Sequence, residues 1–282
     1  MKTILTDVHT HTKFSPDGRS DIGDMLKAAL KKGAAYYGIS EHFDYDYKVD
    51  RIAFYGGAEA SYTDAEAYFS RAREWKRQYE GKMEVLVGGE FGYTDNPAAA
   101  PLYRALIEVY SPDFIVNSVH TNGVLDYSDP EVFLDKNGKR KDKREIYSQY
   151  LARVKHSVEA AYDYDIIGHF TYCMRCAPYE DKRLRYADYP TEIDAILKRI
   201  IERGKILEVN SSSYGAPCDF LPDEDILGRY YELGGRRVSF ASDAHDVSRV
   251  LDKREKVVDA LKKIGFSCVT VPRRGEYISV EL

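Results

Sequence analysis

Short apolar segments alternate with amphipathic segments along this chain of 282 residues, and this alternation restricts its fold most. The predicted strands are residues 4–9, 35–40, 84–87, 114–119, 165–168, 205–209 and 237–241. The predicted helices are residues 21–32, 101–110, 144–162, 223–233 and 248–263, with two more beginning at the capping patterns Thr63-x-x-Glu66 and Thr191-x-x-Asp194. Strands that alternate with helices pair in parallel. We therefore predict an α/β fold, a distorted TIM-like barrel of seven (β/α) units, with an open doubly wound sheet as the alternative.

Polar residues at the strand ends favour the barrel. Nine side chains that can bind metal stand at or shortly after the C-terminal ends of predicted strands: His9, His11, Asp17, His42, Glu90, His120, His169, Asp243 and His245. In a barrel these ends meet at one mouth, where active sites lie. So many ionisable groups crowded together without an ion would be costly. The seventh histidine, His156, falls on the polar side of its helix and is predicted to be a surface residue.

His9 and His11 stand two residues apart at the end of the first strand, so their imidazoles project from the same face. Such a pair suits a divalent transition metal, zinc above all. Nine donors are too many for one zinc ion, which predicts two or three ions with Glu90 as a bridging carboxylate. Taken singly, each residue also has a structural interpretation, such as a hydrogen-bonded histidine, a salt-bridge partner or a helix cap. Asp7 is expected to orient a histidine rather than bind metal.

Composition excludes several classes of function. The mean hydropathy is −0.49 and the sequence has no apolar run of 18 residues, so no membrane span is expected. The net charge of −5 argues against nucleic acid as the partner. One Cys-x-x-Cys pair alone does not make a structural zinc site, so the cysteines are predicted to be free thiols in a reducing cytoplasm: Cys173, Cys176, Cys218 and Cys268.

No linker or change of composition divides the chain, and we predict a single domain over residues 1–282. The stretches 43–62, 121–143 and 170–190 are interpreted as functional loops.

The order of these motifs resembles the PHP (polymerase and histidinol phosphatase) family. The pattern begins with H-x-H and an acid six residues later, followed by Glu41-His42 and a lone Glu90. It continues with one histidine after each of the next two strands and ends with Ser242-Asp243-Ala244-His245. It spans residues 7–245. The resemblance implies a distorted seven-stranded barrel that holds three metal ions, commonly zinc, manganese or iron.

The resemblance also implies how the ligands are grouped. His9, His11, Glu90 and Asp243 would surround one ion, and Glu90 would bridge to a second ion completed by His120 and His169. The third ion would take Asp17, His42 and His245. Many family members have histidine where this chain has Asp17, which would make the third site favour harder metals.

Within the family, several segments resemble the monofunctional histidinol-phosphate phosphatases: Gly168-His169 followed by Arg175, then Leu207–Ser211 and Tyr231–Gly235. This implies hydrolysis of L-histidinol phosphate to L-histidinol in histidine biosynthesis. Paired metal ions that activate water suit such a reaction. A phosphate also needs an arginine fork, and Arg175 is the first candidate, with Arg51 and Arg249 behind it. Asp17 or His245 are candidates for the acid that protonates the leaving alkoxide, as is metal-bound water.

Three alternatives remain at this point. A tyrosine phosphatase of the same family would share the ligands but need an open cleft for a peptide. A nuclease would normally carry basic surface or attached domains. A barrel without metal that only binds a ligand would have lost ligand positions, whereas this sequence keeps all of them.

Overall fold

The computed structural model describes residues 5–52 and 62–282. Its main sheet contains seven strands: β1 (Leu5–Asp7), β2 (Ala34–Phe43), β3 (Glu84–Gly92), β4 (Ile115–Ser118), β5 (Ile166–Ile167), β6 (Ile206–Asn210) and β7 (Val238–Ala241). These strands follow each other in chain order and are all parallel, as the alternating pattern predicted. The described α-helices are α1 (Ile22–Lys32), α2 (Tyr45–Asp50), α3 (Ala65–Gln78), α4 (Ala99–Tyr110), α5 (Lys143–Val158), α6 (Pro190–Glu202), α7 (Glu224–Glu232) and α8 (Arg254–Ile264).

The sheet curves into a nearly closed barrel, because its first and last strands meet just beyond their C-terminal ends. The backbone N–H of Val8 donates to the carbonyl oxygen of Phe240 at 3.2 Å, and that of Asp243 donates to the carbonyl of His9 at 2.9 Å. Thr10 also forms an isolated parallel bridge with Ala244. The predicted barrel is thus confirmed, and its seam lies beside the two segments that carry the most candidate ligands.

The core lies between the sheet and the helices. The helices bury one face each, and α1 shows the pattern: Ile22, Met25, Leu26 and Ala29 are buried while its lysines remain outside. Phe114 packs so closely against β3 that a Cβ on Gly88 would come within 2.5 Å of its ring. Only glycine fits that position without displacing the aromatic ring.

The chain ends in an antiparallel hairpin of β8 (Cys268–Arg273) and β9 (Glu276–Glu281), where two short apolar segments were expected. No helix in the described ranges has the length and apolar character needed to cross a membrane. The cysteines are free, as predicted.

Several predicted boundaries are corrected. The described part of the 43–62 loop contains α2, and α5 ends at Val158 rather than at residue 162. The last helix begins at Arg254, because residues 248–253 form turns. The loop at 121–143 includes a 3-10 helix, Pro130–Phe133, and the loop at 170–190 has two, Tyr172–Met174 and Tyr186–Asp188.

Both predicted capping patterns are replaced by other helix starts. Asp64 caps α3 by accepting a hydrogen bond from the N–H of Ala67, while the Thr63 hydroxyl donates to Phe14. Helix α6 starts at Pro190 and has no side-chain cap. Proline at the first helical position needs no N–H partner there.

Candidate metal centre

His9 and His11 follow β1 directly, and both are fully buried. Their Nε2 atoms lie 3.1 Å apart. Asp243 comes to the same point from the other side of the barrel seam, with Oδ1 at 3.4 Å from His11 Nε2 and 3.8 Å from His9 Nε2. The structure therefore brings together three of the four residues that the resemblance assigned to one ion.

Glu90 lies at the centre of the cluster. It belongs to β3, where it is in register with His42 on β2. Its Oε2 faces His9 Nε2 at 3.3 Å and His11 Nε2 at 3.5 Å. Its Oε1 lies 3.1 Å from His120 Nε2 and 2.9 Å from His169 Nε2. Each carboxylate oxygen thus faces a different pair of imidazoles, which is the arrangement expected of a bridging ligand.

A third group lies nearer to solvent. Asp17 Oδ2 is 3.0 Å from His245 Nε2, and Asp17 Oδ1 is 3.8 Å from His42 Nε2. The His11 ring lies close to both other imidazoles and tilts little from either, with centroids 4.2 Å from His42 and 4.3 Å from His245. His42 also approaches Glu90, with Nδ1 at 2.9 Å from Oε2. His11 and Glu90 therefore also lie close to the residues assigned to the third ion, although the resemblance assigned them to the first. The sequence did not indicate this proximity.

The donor set fits divalent metal ions. Glu90 Oε2 is buried and accepts no hydrogen bond, although three histidine nitrogens lie within 3.5 Å of it. Burial and the like charges of His42 and His245 lower the pKa of His11 to about 3, which favours the neutral imidazole that a metal requires. For His9 and His42, nearby carboxylates outweigh burial and raise the pKa, so metal binding there would displace a proton. Burial by itself would raise the pKa of Glu90, but attraction to His9, His120 and His42 holds it well below its usual range. Imidazole nitrogens with carboxylate oxygens suit zinc, manganese and iron.

Glu208 orients His9, a role that the sequence analysis did not assign to it. Its buried Oε1 lies 2.6 Å from His9 Nδ1, and its Oε2 accepts from the backbone N–H of His169 at 2.8 Å. A carboxylate on the far nitrogen of a ligating histidine selects the tautomer that leaves Nε2 free for metal. Asp7, which was expected to take this part, instead accepts backbone N–H groups of Ser242 and Leu251. The position of Asp7 at the end of β1 did not indicate these backbone contacts.

The centre opens into a cavity of about 220 Å³. The cavity is lined by Pro16, Asp17, His42, Asp44, Tyr47, Glu90, His120, Asp126, Ser128, His169, Tyr172, Arg175, Asp243 and His245. His9 and His11 lie beneath it, fully buried.

Arg175 is the one arginine among these lining residues. Its Nη2 lies 3.1 Å from Asp243 Oδ2 and 3.4 Å from Asn210 Oδ1, and its guanidinium carbon is 4.8 Å from the ring centroid of Tyr172. The structure does not bring the other two candidates to the cavity. Arg51 is exposed at the end of α2, and Arg249 pairs with Asp252 while stacking on Tyr214.

Among the cavity residues that were not identified from the sequence, four are acidic or aromatic: Asp44, Tyr47, Asp126 and Tyr172. The Asp- and Tyr-rich segment after β2 was a signal for the first two, since α2 turns it towards the mouth. His156, in contrast, is 59% exposed and pairs with Asp95 on the surface, as predicted.

The parallel barrel and this donor set define a metal-binding α/β barrel. A family model for the PHP domain matches residues 7–212, and the chain belongs to this family.

Several relatives have names that indicate an activity. A histidinol-phosphatase from Lactococcus lactis is 26% identical over 92% of this chain and 91% of its own length. A protein from Clostridium acetobutylicum named as a probable histidinol-phosphatase is 27% identical over 86% of this chain and 87% of its own length. The crystal structure of histidinol phosphate phosphatase from L. lactis, complexed with zinc, L-histidinol and phosphate, superposes with a TM-score of 0.78 at 22% identity, covering 97% of this chain and 98% of that one.

Proposed function

We propose that this protein is a metal-dependent phosphomonoesterase that hydrolyses L-histidinol phosphate to L-histidinol and phosphate. The observation that carries the proposal is the placement of Arg175 in the same cavity as the cluster around Glu90. This cavity offers both the donors for several metal ions and a fork for phosphoryl oxygens. The histidinol-phosphatases among the relatives, which match along most of their length, support the choice of substrate.

We assign two to three zinc, manganese or iron ions to the nine ligands. His9, His11, Glu90 and Asp243 would hold one, Glu90 with His120 and His169 a second, and Asp17 with His42 and His245 a third. When bound, such ions activate water and neutralise phosphoryl charge. The contribution of the chain is to hold the donors in place by burying them and by fixing their orientation, as Glu208 does for His9.

Arg175 would bind two phosphoryl oxygens. Its guanidinium is held between the Asp243 carboxylate and the face of Tyr172, so little side-chain freedom remains to be lost when substrate binds. A fixed donor aimed at phosphoryl oxygens stabilises the charge that develops on them.

Asp17 or His245 would supply the proton to the leaving alkoxide. The pair lies on the rim of the cavity, where Asp17 is 60% exposed, so a product alcohol can leave towards solvent. Both are also ligand candidates, so this role requires that one of them is free of metal in the reacting state.

We also propose that residues 1–282 act as one domain in the cytoplasm. One sheet runs through the described barrel in chain order, and the cysteines are free thiols, as is usual in a reducing compartment.

A phosphatase screen tests the function. L-histidinol phosphate would be compared with phosphotyrosine, sugar phosphates and a single-stranded oligonucleotide, using protein reconstituted separately with zinc and with manganese. We expect the highest kcat/KM for L-histidinol phosphate. Faster turnover of phosphotyrosine would contradict the substrate assignment and favour a tyrosine phosphatase.

A further inference from the structure

One wall of the cavity carries negative charge that the proposed reaction leaves unexplained. It is formed by Asp126 and Asp44, which are 9% and 8% exposed and both line the cavity. Neither residue is among the nine proposed ligands. Phosphate is itself an anion, so carboxylates in a phosphatase cavity need another purpose.

The position of Asp126 is set by the segment that presents His120. After His120 the chain makes a tight turn, in which the N–H of Asn122 donates to the carbonyl of Leu125. The chain then returns, and the N–H of Tyr127 donates to the carbonyl of His120 at 2.9 Å. Backbone hydrogen bonds thereby hold Asp126 in the wall of the cavity that the candidate metal ligands also line.

Three donors hold the Asp126 carboxylate. Its Oδ2 accepts from the hydroxyl of Tyr47, and its Oδ1 accepts from the hydroxyl of Tyr172 at 3.3 Å and from the N–H of Ser128. Burial and the Asp126 charge raise the pKa of both tyrosines, which keeps their hydroxyls protonated as donors. A carboxylate can accept about four hydrogen bonds, so one acceptor position remains for a ligand in the cavity.

Asp44 is a second, independent indication of a cationic ligand. It is more than nine-tenths buried, and its Oδ1 accepts no hydrogen bond from the described residues. A buried carboxylate oxygen without a donor is unfavourable unless a ligand supplies one. The nearest charged neighbours are His42 Nδ1 at 3.7 Å and His120 Nδ1 at 4.0 Å.

Tyr172 separates this acidic wall from the phosphate-binding side. Its ring face supports the Arg175 guanidinium and its hydroxyl donates to Asp126, so opposite charges flank a single side chain. A ligand that spans the ring would place an anionic group at Arg175 and a cationic group at Asp126.

We propose that Asp126, together with Asp44, binds a protonated amine on the substrate, and so selects phosphomonoesters that carry an ammonium group close to the ester. The inference rests on the proposed function, since it names a specificity-determining residue of the same site. In L-histidinol phosphate the amine is on the carbon next to the ester carbon, so its ammonium and phosphate groups would flank a single side chain such as Tyr172. Peptides with phosphotyrosine and phosphates of neutral sugars lack a cation in that position.

The experiment compares two esters that differ only in the amine, L-histidinol phosphate and 3-(imidazol-4-yl)propyl phosphate, on the metal-loaded enzyme. We expect Asp126→Asn to lower kcat/KM for L-histidinol phosphate by about 10- to 100-fold, the usual value of a hydrogen bond to a charged group. For the ester without the amine, kcat/KM should change by less than about threefold. For the wild-type enzyme, kcat/KM should be about 10- to 100-fold lower for the ester without the amine than for L-histidinol phosphate.

Asp24→Asn is the matched control, because Asp24 is exposed on α1 and does not line the cavity. Metal content and thermal unfolding would be measured for each variant. Equal losses on both esters in Asp126→Asn would overturn the inference and make Asp126 structural. If the variant does not fold, the wild-type comparison decides: similar kcat/KM for the two esters overturns the inference. Failure of wild type to hydrolyse either ester would instead refute the proposed function.

Discussion

The Nδ1 atom of His9 lies 2.6 Å from Oε1 of Glu208, and neither side chain is exposed to solvent. This contact joins β6 to the segment after β1, residues that are 199 positions apart in the sequence. It directs the other nitrogen of His9 towards Glu90 and Asp243.

We therefore expect Glu208→Gln to lower metal affinity by about 10- to 100-fold, because the amide can no longer hold the imidazole as strongly in the ligating tautomer. Competition with a chelator would measure the affinity. Glu66→Gln, an exposed change on α3, is the control and should have no effect. Equal affinities of wild type and Glu208→Gln would show that Glu208 does not orient His9.

Elemental analysis of protein purified without chelator should find about two to three divalent ions per chain. Among single ligand changes, Glu90→Ala should cost the most metal, because its two oxygens face different pairs of histidines. One ion or less after reconstitution with zinc or manganese would contradict a cluster.

His120→Ala and His169→Ala should each remove most of the turnover, since both imidazoles face Oε1 of Glu90. His156→Ala is the matched control and should stay near wild type, because this side chain contacts Asp95 on the surface. Rates and metal content would be measured together. Similar losses at all three positions would mean that the fold, not the metal centre, responds to these changes.

Arg175→Ala should retain metal but lower kcat/KM for L-histidinol phosphate by about 10² to 10³, or about 3 to 4 kcal/mol, as for removal of one preorganised donor. Arg175→Lys should recover only part of the lost kcat/KM, since an ammonium cannot reproduce the bidentate fork. The exposed Arg77→Ala is the control. If Arg175→Ala were silent with metals bound, the phosphate would not depend on Arg175 for its binding.

One prediction concerns stability alone. Arg229 on α7 forms two hydrogen bonds with Asp194 on α6, at 2.8 and 2.7 Å, and this contact lowers the pKa of Asp194 to about 2. A carboxyl whose pKa is lower in the folded state stabilises the fold above its unfolded pKa, near 4, and loses that contribution as the pH falls to 2. Asp194→Asn should therefore cost about 1 kcal/mol at neutral pH. Urea unfolding of both proteins at several pH values should show the difference shrinking only below about pH 4. A difference that is unchanged at the lowest pH would point to packing instead.

Sequence reasoning found the strands but ended two of them three or more residues too early. It placed the ends of β2 and β3 at Ser40 and Val87, whereas they continue to Phe43 and Gly92. The added residues include His42 and Glu90, which pair in register through backbone hydrogen bonds. Hydrophobicity could not indicate this extension, because the polar side chains of these residues point into the metal centre. Turn chemistry explains other differences, such as the start of α8 at Arg254.

The sequence by itself determined the barrel and the inventory of its candidate ligands, because a parallel sheet brings every strand end to one mouth whatever the details of packing. Only the tertiary structure decided which atoms meet there. Closure of the seam between His9 and Asp243 brings together residues from opposite ends of the chain, and packing turns Glu208 rather than Asp7 towards His9. The same holds for Asp126, whose place in the cavity depends on contacts with Tyr47 and Tyr172. Such contacts depend on side-chain directions and on distances between segments remote in sequence, and neither is encoded in local spacing.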